Sequence, residues 1–292
     1  VDEADIIKTD GDYIYAIANN KLYIAKAYPV EKAKILAIKN LKSFSPNELF
    51  IHGDRLLLFG STHHKDIRPM PEPVFDGARA EYYPNPRSFG VVSVQLYSTA
   101  DKENPKLLRT VEFEGNYLSS RKIGSDVYFV VNSYPMWRPE PCIGCNIAPL
   151  YSKDGEDFEL TAKCSDISYI EPLHANNFIT VAAMSMTNEN KDVEKEVIVG
   201  SGQNIYASLE NLYIAQTSWG REQKTSVNKF ALENGKIRFI GRGEVPGHIL
   251  NQFSMDEFDE HFRIATTIQG YSNNRDTSTN NVYIFCLLYT SP

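Results

Sequence analysis

The sequence of 292 residues lacks several features that define common functional classes. It has no run of about 20 apolar residues, which a membrane-spanning helix needs. The formal net charge is −7 and Lys and Arg form no cluster, so we expect no binding to nucleic acid, because neutralising phosphates requires clustered basic residues. A GxxxxGK[ST] phosphate loop and a GxSxG nucleophile elbow are both missing. The sequence therefore gives no support for a nucleotide-hydrolysing enzyme or for a serine hydrolase of that type.

Helical patterns are also missing. No window of a dozen residues shows sustained apolar spacing at i, i+3, i+4 and i+7 together with helix caps. Short segments rich in β-branched and aromatic residues fill the chain instead, and polar or Gly-containing turns separate them. The sequence therefore predicts an all-β fold.

The predicted strands recur in groups of four. The clearest group occupies residues 203–247, where NIYAS, NLYIAQTS, SVNKFAL and KIRFIGRG follow one another. Three similar groups precede it, and a fifth begins with LNQFSMDEFDE, HFRIATTI and NNVYIF. Repeats of a four-stranded antiparallel sheet predict a β-propeller with four-stranded blades. A pair of β-sandwiches is the all-β alternative, but it does not require the same four-strand order each time.

The repeats differ in length because extra residues fall between their second and third strands. The additions are residues 62–88 in the second group and 134–177 in the third, with smaller ones near 219–224 and 270–280. In a propeller these connections all emerge on the same face. We therefore expect the insertions to gather on one face and to carry a binding function, as long loops on a rigid scaffold often do.

Aromatic residues in the two long insertions are the candidate binding residues. They are Tyr82 and Tyr83 in the second group, and Tyr134, Trp137 and Tyr151 in the third. Aromatic side chains are enriched in interface cores, which favours a binding surface for a protein or a glycan. The alternative is that these side chains pack the insertion onto the sheets.

Three of the four cysteines, Cys142, Cys145 and Cys164, lie close together in the third insertion. They are candidates for a disulfide, while free thiols and a metal site are the alternatives. No fourth Cys and no nearby His gives a standard zinc spacing.

Asp256, Glu257 and Asp259 belong to the densest acidic cluster and are weak candidates for a calcium site, since calcium requires several oxygen ligands. The cluster also falls where a polar turn between the first two strands of a blade is expected. We favour this structural interpretation and expect no other cofactor.

Two long motifs resemble a known family. VDEADIIKTDGDYIYAI and VPGHILNQFSMDEFDEHFRIATT closely resemble the β-propeller domain family of secreted prokaryotic proteins, which is distantly related to WD40-type propellers. The resemblance covers residues 1–284 and implies a secreted or membrane-anchored protein of bacteria or archaea with no assigned reaction. The protein or glycan partner that we expect for the long loops would then lie at the cell surface. Any membrane attachment would come through a segment outside this chain. The family has no established catalytic residues, so the resemblance assigns none here.

The resemblance also implies a domain longer than this chain. We therefore expect an incomplete propeller of about four and a half blades over residues 1–285. Residues 286–292 (CLLYTSP) look like translated sequencing-adapter sequence, and we expect them to be non-native. The function we expect is an extracellular or cell-envelope interaction module that binds through its long loops. A hydrolytic enzyme with a site at the central channel and a calcium-stabilised structural domain are the alternatives.

Overall fold

The structure is a computed structural model of the chain. It describes residues 1–42, 44–66, 87–134, 148–169, 177–219, 222–272 and 275–286. These residues form 24 strands and three short 3-10 turns, which confirms the prediction of an all-β fold.

The strands are numbered in chain order. They are β1 (Asp2–Glu3), β2 (Ile7–Thr9), β3 (Tyr13–Ala18), β4 (Lys21–Lys26), β5 (Lys34–Asn40), β6 (Ser45–His52), β7 (Arg55–Asp66), β8 (Arg87–Ser98), β9 (Lys106–Glu114), β10 (Asn116–Ile123), β11 (Asp126–Ser133), β12 (Leu150–Lys153), β13 (Glu159–Leu160), β14 (Phe178–Ser185), β15 (Glu194–Val199), β16 (Asn204–Ala207), β17 (Asn211–Trp219), β18 (Gln223–Glu233), β19 (Lys236–Pro246), β20 (Met255–Phe258), β21 (His261–Ile268), β22 (Tyr271–Ser272), β23 (Arg275–Asp276) and β24 (Thr279–Cys286). The 3-10 turns are Val30–Lys32, Cys164–Asp166 and Gln252–Ser254.

Five antiparallel sheets follow one another along the chain. Sheet 1 contains β2 to β5, sheet 2 contains β6 to β9, and sheet 3 contains β10, β11, β14 and β15. Sheet 4 contains β16 to β19, and sheet 5 contains β20, β21 and β24. Every predicted group of strands is confirmed, including the three strands of the fifth. The repeated order is that of propeller blades and not of a sandwich pair.

Four strand pairings were not predicted. β1 pairs with β10, the first strand of sheet 3, with Glu3 opposite Arg121. β12 pairs with β9 and β13 pairs with β12, so that a hairpin from the third insertion extends sheet 2 to six strands. β22 and β23 form a separate hairpin in the fifth insertion. The long hairpin of β7 and β8 also reduces the second insertion to residues 67–86.

The second strand of each inner sheet is buried on both faces. In β7, Leu57 and Phe59 belong to the core between sheets 2 and 3, whereas Leu56 and Leu58 belong to the core between sheets 1 and 2. β11 and β17 alternate in the same way between the cores on their two sides. Successive side chains of a strand point to opposite faces. This two-sided burial explains why these strands have the continuous apolar runs RLLLF, DVYFVV and NLYIA.

The first and last sheets each have one exposed face with apolar side chains. Ile14 and Ile35 of sheet 1 are exposed, as are Val282 and Ile284 of sheet 5. Because only one face is buried, β3 and β21 alternate between buried and exposed residues. The predicted incompleteness of the propeller stays a prediction.

The tight turns between strands are polar or contain Gly, as the sequence predicts. Asn19 and Asn20 connect β3 with β4 at φ of 50° and 55°, the combination that a type I′ hairpin turn requires. Between β2 and β3, the Asp10 carboxylate accepts a hydrogen bond of 2.8 Å from the Tyr13 amide. Gly11 adopts φ of 100° in the same turn, a conformation that glycine tolerates.

The last strand ends at Cys286, which pairs with His261 of β21. Residues 287–292 lie outside the described part of the chain. The proposed non-native origin of residues 286–292 therefore stays a prediction.

Replacing Phe129 by Ala tests the core between sheets 2 and 3. The Phe129 ring is fully buried and lies 5.4 Å from the ring centres of both Phe59 and Phe113. We expect Phe129→Ala to lower the free energy of unfolding by about 3–5 kcal/mol, because the surrounding side chains cannot fill the cavity that the missing ring leaves. Urea denaturation measures this change. Leu209→Ala, at an exposed turn residue, should change it by less than about 0.5 kcal/mol. Equal effects of the two substitutions would contradict the assignment of this core.

Glu196 in β15 gives a pH-dependent prediction. Burial raises the pKa of its carboxyl above the ordinary value of 4.5, which applies to the unfolded chain. Protonated Glu196 therefore adds to the free energy of unfolding at low pH. This gain in stability is lost as the pH rises through the pKa of the folded state. We expect Glu196→Gln to be more stable than the wild type at about pH 7, and we expect this difference to disappear below pH 4.5.

Urea denaturation at the two pH values measures this difference. The control is Glu194→Gln, at an exposed position of the same strand, which should show no such pH-dependent gain. A stability gain from Glu196→Gln that persisted below pH 4.5 would contradict the prediction.

Candidate functional site

The turns between first and second strands and those between third and fourth strands lie at one end of the sheets. Lys191, between β14 and β15, donates a hydrogen bond of 3.0 Å to the Asn234 carbonyl between β18 and β19. Arg55, at the turn between β6 and β7, lies 3.8 Å from the Glu189 carboxylate between β14 and β15. These contacts bring together connections of sheets 2, 3 and 4.

The connections between second and third strands leave the opposite end of the sheets, because the strands are antiparallel. At this end the Gln223 amide of sheet 4 lies 3.5 Å from the Gln269 amide after β21 of sheet 5. The described residues thus agree with the predicted gathering of the insertions on one face. We call this end the loop face; its described residues are 61–66, 87–90, 134, 218–219, 222–225 and 268–272.

Two aromatic candidates of the third insertion have different positions. Tyr134 directly follows β11, and its side chain is 55% exposed on the loop face. Tyr151 in β12 is 4% exposed and belongs to the core between sheets 2 and 3. Its ring centre lies 4.9 Å from that of Phe113 and 3.8 Å from the Lys195 Nζ. Tyr151 therefore packs the insertion onto sheet 2, the alternative considered for these residues, and it is not a surface residue.

Most of the remaining candidates belong to segments outside the described residues. Tyr82, Tyr83, Trp137, Cys142 and Cys145 lie outside the described residues. Cys164 is exposed and begins a 3-10 turn. The disulfide and the binding role of these aromatic residues stay predictions.

The acidic cluster of sheet 5 forms a turn and a set of contacts with other side chains. Asp259 and Glu260, at φ of 50° and 60°, make the turn between β20 and β21. Asp256 forms an ion pair with Arg263. The Glu257 carboxylate accepts a hydrogen bond of 2.6 Å from the Tyr213 hydroxyl. Within the described ranges, no three His, Cys, Asp or Glu residues are arranged to hold a metal ion. The geometry therefore supports the structural interpretation of the cluster.

Glu257 connects sheets 4 and 5 through buried groups. Its two carboxylate oxygens also lie 3.1 and 3.2 Å from the Asn211 amide nitrogen. Burial and the hydrogen bond to Glu257 raise the pKa of Tyr213 well above its usual range, so the phenol stays a donor. The Tyr213 ring stacks on Phe262 at 4.1 Å between centres. This network fixes β20 on sheet 4.

A second polar cluster lies where the first strands of the sheets meet, the region where a hydrolytic site was considered. Arg121 of β10 is only 5% exposed and forms an ion pair of 2.9 Å with Glu3 of β1. The Tyr117 hydroxyl donates a hydrogen bond of 2.6 Å to the Glu48 carboxylate. Burial and this carboxylate raise the pKa of Tyr117. These two carboxylates thus have side-chain partners, an arrangement typical of a structural network.

A third cluster, which the sequence did not single out, lies on the loop face between sheets 4 and 5. Trp219 ends β17, its side chain is 65% exposed, and its ring centre lies 5.3 Å from that of His248. The His248 Nδ1 lies 3.3 Å from the Gln223 Oε1, and Gln223 contacts Gln269. We call these four residues the Trp219 surface. One sequence signal could have identified it: Trp219, one of only two tryptophans, stands in the fourth insertion.

The family model described as a β-propeller domain matches residues 1–289. The chain belongs to the β-propeller domain family. This agrees with the sheet order described above. Within the described part of the propeller, no helix is long and apolar enough to cross a membrane.

Two archaeal relatives are similar to the propeller over 97% of its length. An uncharacterized protein of Methanocaldococcus jannaschii is 24% identical, and the match covers 51% of that protein. An uncharacterized protein of Archaeoglobus fulgidus is 22% identical, with 52% of that protein covered. The chain thus spans about half the length of the curated relatives it matches.

One solved structure is similar to the propeller at a low level. It is an acylaminoacyl peptidase of Pyrococcus horikoshii, with 10% identity, a TM-score of 0.29, and coverage of 94% of this chain and 51% of that one. A similarity at this level carries no argument about function.

Removing divalent cations distinguishes a calcium site from the hydrogen-bonded network around Glu257. Because Asp256 and Glu257 already have protein partners, we expect EDTA to leave the melting temperature unchanged within about 1 °C. Tyr213→Phe keeps the stacked ring but removes the donor to Glu257, so it should lower the free energy of unfolding by about 1–3 kcal/mol. Thermal and urea denaturation measure the two effects. A clear fall in melting temperature with EDTA, restored by calcium, would contradict this prediction.

Proposed function

We propose that the propeller is a binding module whose partner, a protein or a glycan, docks on the loop face. The main support is that this face presents large exposed aromatic side chains at the ends of buried strands. Tyr134 follows β11, whose residues are buried except for Asp126 at its start, and Trp219 ends β17, whose first five residues are buried. Anchors held by such strands lose little conformational freedom on binding. Aromatic anchors of this kind dominate many protein interfaces.

The opposite end of the propeller is less suited to binding. Its described connections include two-residue turns such as Asn234–Gly235 and Asp259–Glu260, and their residues adopt positive φ. Turns of this length add little area to a docking surface. The length asymmetry between the two ends therefore favours the loop face.

The proposal also includes a location outside the cytoplasm. The propeller would be secreted, or anchored to the cell envelope through a segment outside this chain. Support comes from the terminal motifs, which resemble propellers of secreted prokaryotic proteins. The partner would then be a protein or glycan of the cell surface.

Two variants, one for each end of the sheets, test the docking face. Arrays of cell-surface glycans and of extracytoplasmic protein domains are probed with the wild type, with Tyr134→Ser/Trp219→Ser and with Leu209→Ser. Leu209 lies between β16 and β17 at the opposite end and is 66% exposed, so its replacement is a control for the loss of exposed apolar surface away from the loop face. We expect binding to fall by roughly 30-fold or more in the loop-face variant only, the loss typical of two anchor residues.

Surface plasmon resonance on the array ligands gives the affinities, and urea denaturation shows whether each variant is folded. Binding that survives the loop-face substitutions but is lost with Leu209→Ser would overturn the proposed docking face. Failure of the wild type to bind any glycan or protein domain on the arrays would count against the binding role itself.

A further inference from the structure

We infer that the Trp219 surface is a carbohydrate subsite for neutral β-1,4-linked pyranoses with equatorial substituents, such as oligomers of glucose or of N-acetylglucosamine. This inference rests on the proposed function and narrows the ligand class. The surface combines the exposed, flat indole ring of Trp219 with the imidazole of His248 and the side-chain amides of Gln223 and Gln269. That combination matches the chemistry of a sugar ring.

The apolar part of the match comes from Trp219. A pyranose whose substituents are all equatorial presents only C–H groups on its two faces, and its hydroxyl groups surround the rim. An indole ring that is 65% exposed offers a flat apolar surface to such a face. Trp is among the largest hydrophobic side chains, so covering it with C–H groups is favourable. An α-1,4-linked chain of glucose curves, so its successive rings cannot lie flat along the same surface.

The polar part of the match comes from the two glutamine amides. The Gln223 Oε1 faces the His248 Nδ1, and its Nε2 donates to the Gln269 Oε1. Each of these contacts uses one of the several donor and acceptor positions of an amide. Further positions are therefore available for the hydroxyl groups of a sugar placed on Trp219.

The surface is held in place by the backbone beneath it. His248 and Thr267 exchange two backbone hydrogen bonds of 2.8 and 2.9 Å, which join sheets 4 and 5. Gly247 adopts φ of 91°, and a Cβ on it would lie 2.7 Å from the Thr267 carbonyl oxygen. The Gly247 carbonyl in turn accepts a hydrogen bond of 2.8 Å from the Thr225 hydroxyl. A surface fixed in this way binds with a small entropic cost.

Charge favours a neutral ligand. None of the four residues of the surface is Lys, Arg, Asp or Glu. The residues on either side of Gln223, Glu222 and Lys224, form an ion pair of 3.4 Å with each other. An anionic or cationic ligand would have no counter-charge in this cluster, which distinguishes it from the charged network around Arg121.

Tryptophan fluorescence gives a direct test, because the chain has only two tryptophans. In Trp137→Phe, Trp219 is the single tryptophan. Titration with cellotetraose and with chitotetraose should produce a saturable change of its emission, and maltotetraose, the α-1,4-linked control, should bind more weakly. Calorimetry on the wild type with the same three sugars repeats the measurement without relying on that substitution.

Variants locate the sugar on the surface. By calorimetry, Gln269→Ala should weaken binding about tenfold, as expected for a lost hydrogen bond, and Trp219→Ala should abolish it. Leu209→Ser at the opposite end should leave the affinity unchanged. Affinities that are equal in the wild type and in Trp219→Ala would overturn the inference.

The outcomes separate this inference from the proposed function. If neither tetrasaccharide binds at up to about 10 mM, or if maltotetraose binds equally well, the carbohydrate inference is wrong. In that case, array binding that still depends on Tyr134 and Trp219 would leave the proposed function intact with a protein partner. Saturable binding of a β-1,4-linked probe that requires Trp219 and Gln269 supports both.

Discussion

The rest of the structure depends on the burial of each inner second strand on both of its faces. Leu56 and Leu57, adjacent in sequence, contribute to different cores, and the same holds for Tyr128 and Phe129 of β11. Each such strand thus joins two hydrophobic cores, so the stability of one sheet depends on both neighbours. At roughly 25 cal/mol per Å² of apolar surface, this shared burial is the main force that holds the sheets together.

The burial of these strands on both faces also determines where extra residues are tolerated. A residue added inside a doubly buried strand would move every following side chain to the other face and would disrupt two cores at once. Residues added after the strand has ended disturb neither core. The insertions lie beyond the ends of β7, β11, β17 and β21. The strands that tolerate no inserted residue therefore also hold the first residues of each insertion at fixed positions on the loop face.

Strand grouping could be predicted from the sequence because apolar runs and turn residues are local signals. The Asn19–Asn20 pair by itself indicates a tight hairpin turn, and the RLLLF run by itself indicates a strand that is buried on both faces. The β12–β13 hairpin and the pairing of β1 with β10 could not be predicted, because strands of two to four residues have no measurable periodicity. Burial of Tyr151 depends on that hairpin, so composition could not distinguish it from exposed Tyr134. The Trp219 surface combines residues from three separate segments, so the sequence could have indicated Trp219 itself but not the partners that surround it.

The pairing of β1 with β10 should make the unfolding of sheets 1 to 3 more cooperative. In a linear array of repeats each unit contacts only its neighbours, and the terminal unit can open without cost to more distant ones. Here the residues that precede sheet 1 hydrogen-bond with sheet 3, so sheet 2 lies inside a closed loop of chain. Opening sheet 1 would strain that pairing. Sheets 1 to 3 should therefore exchange their amide hydrogens as one unit, while sheet 5 opens independently at lower free energy.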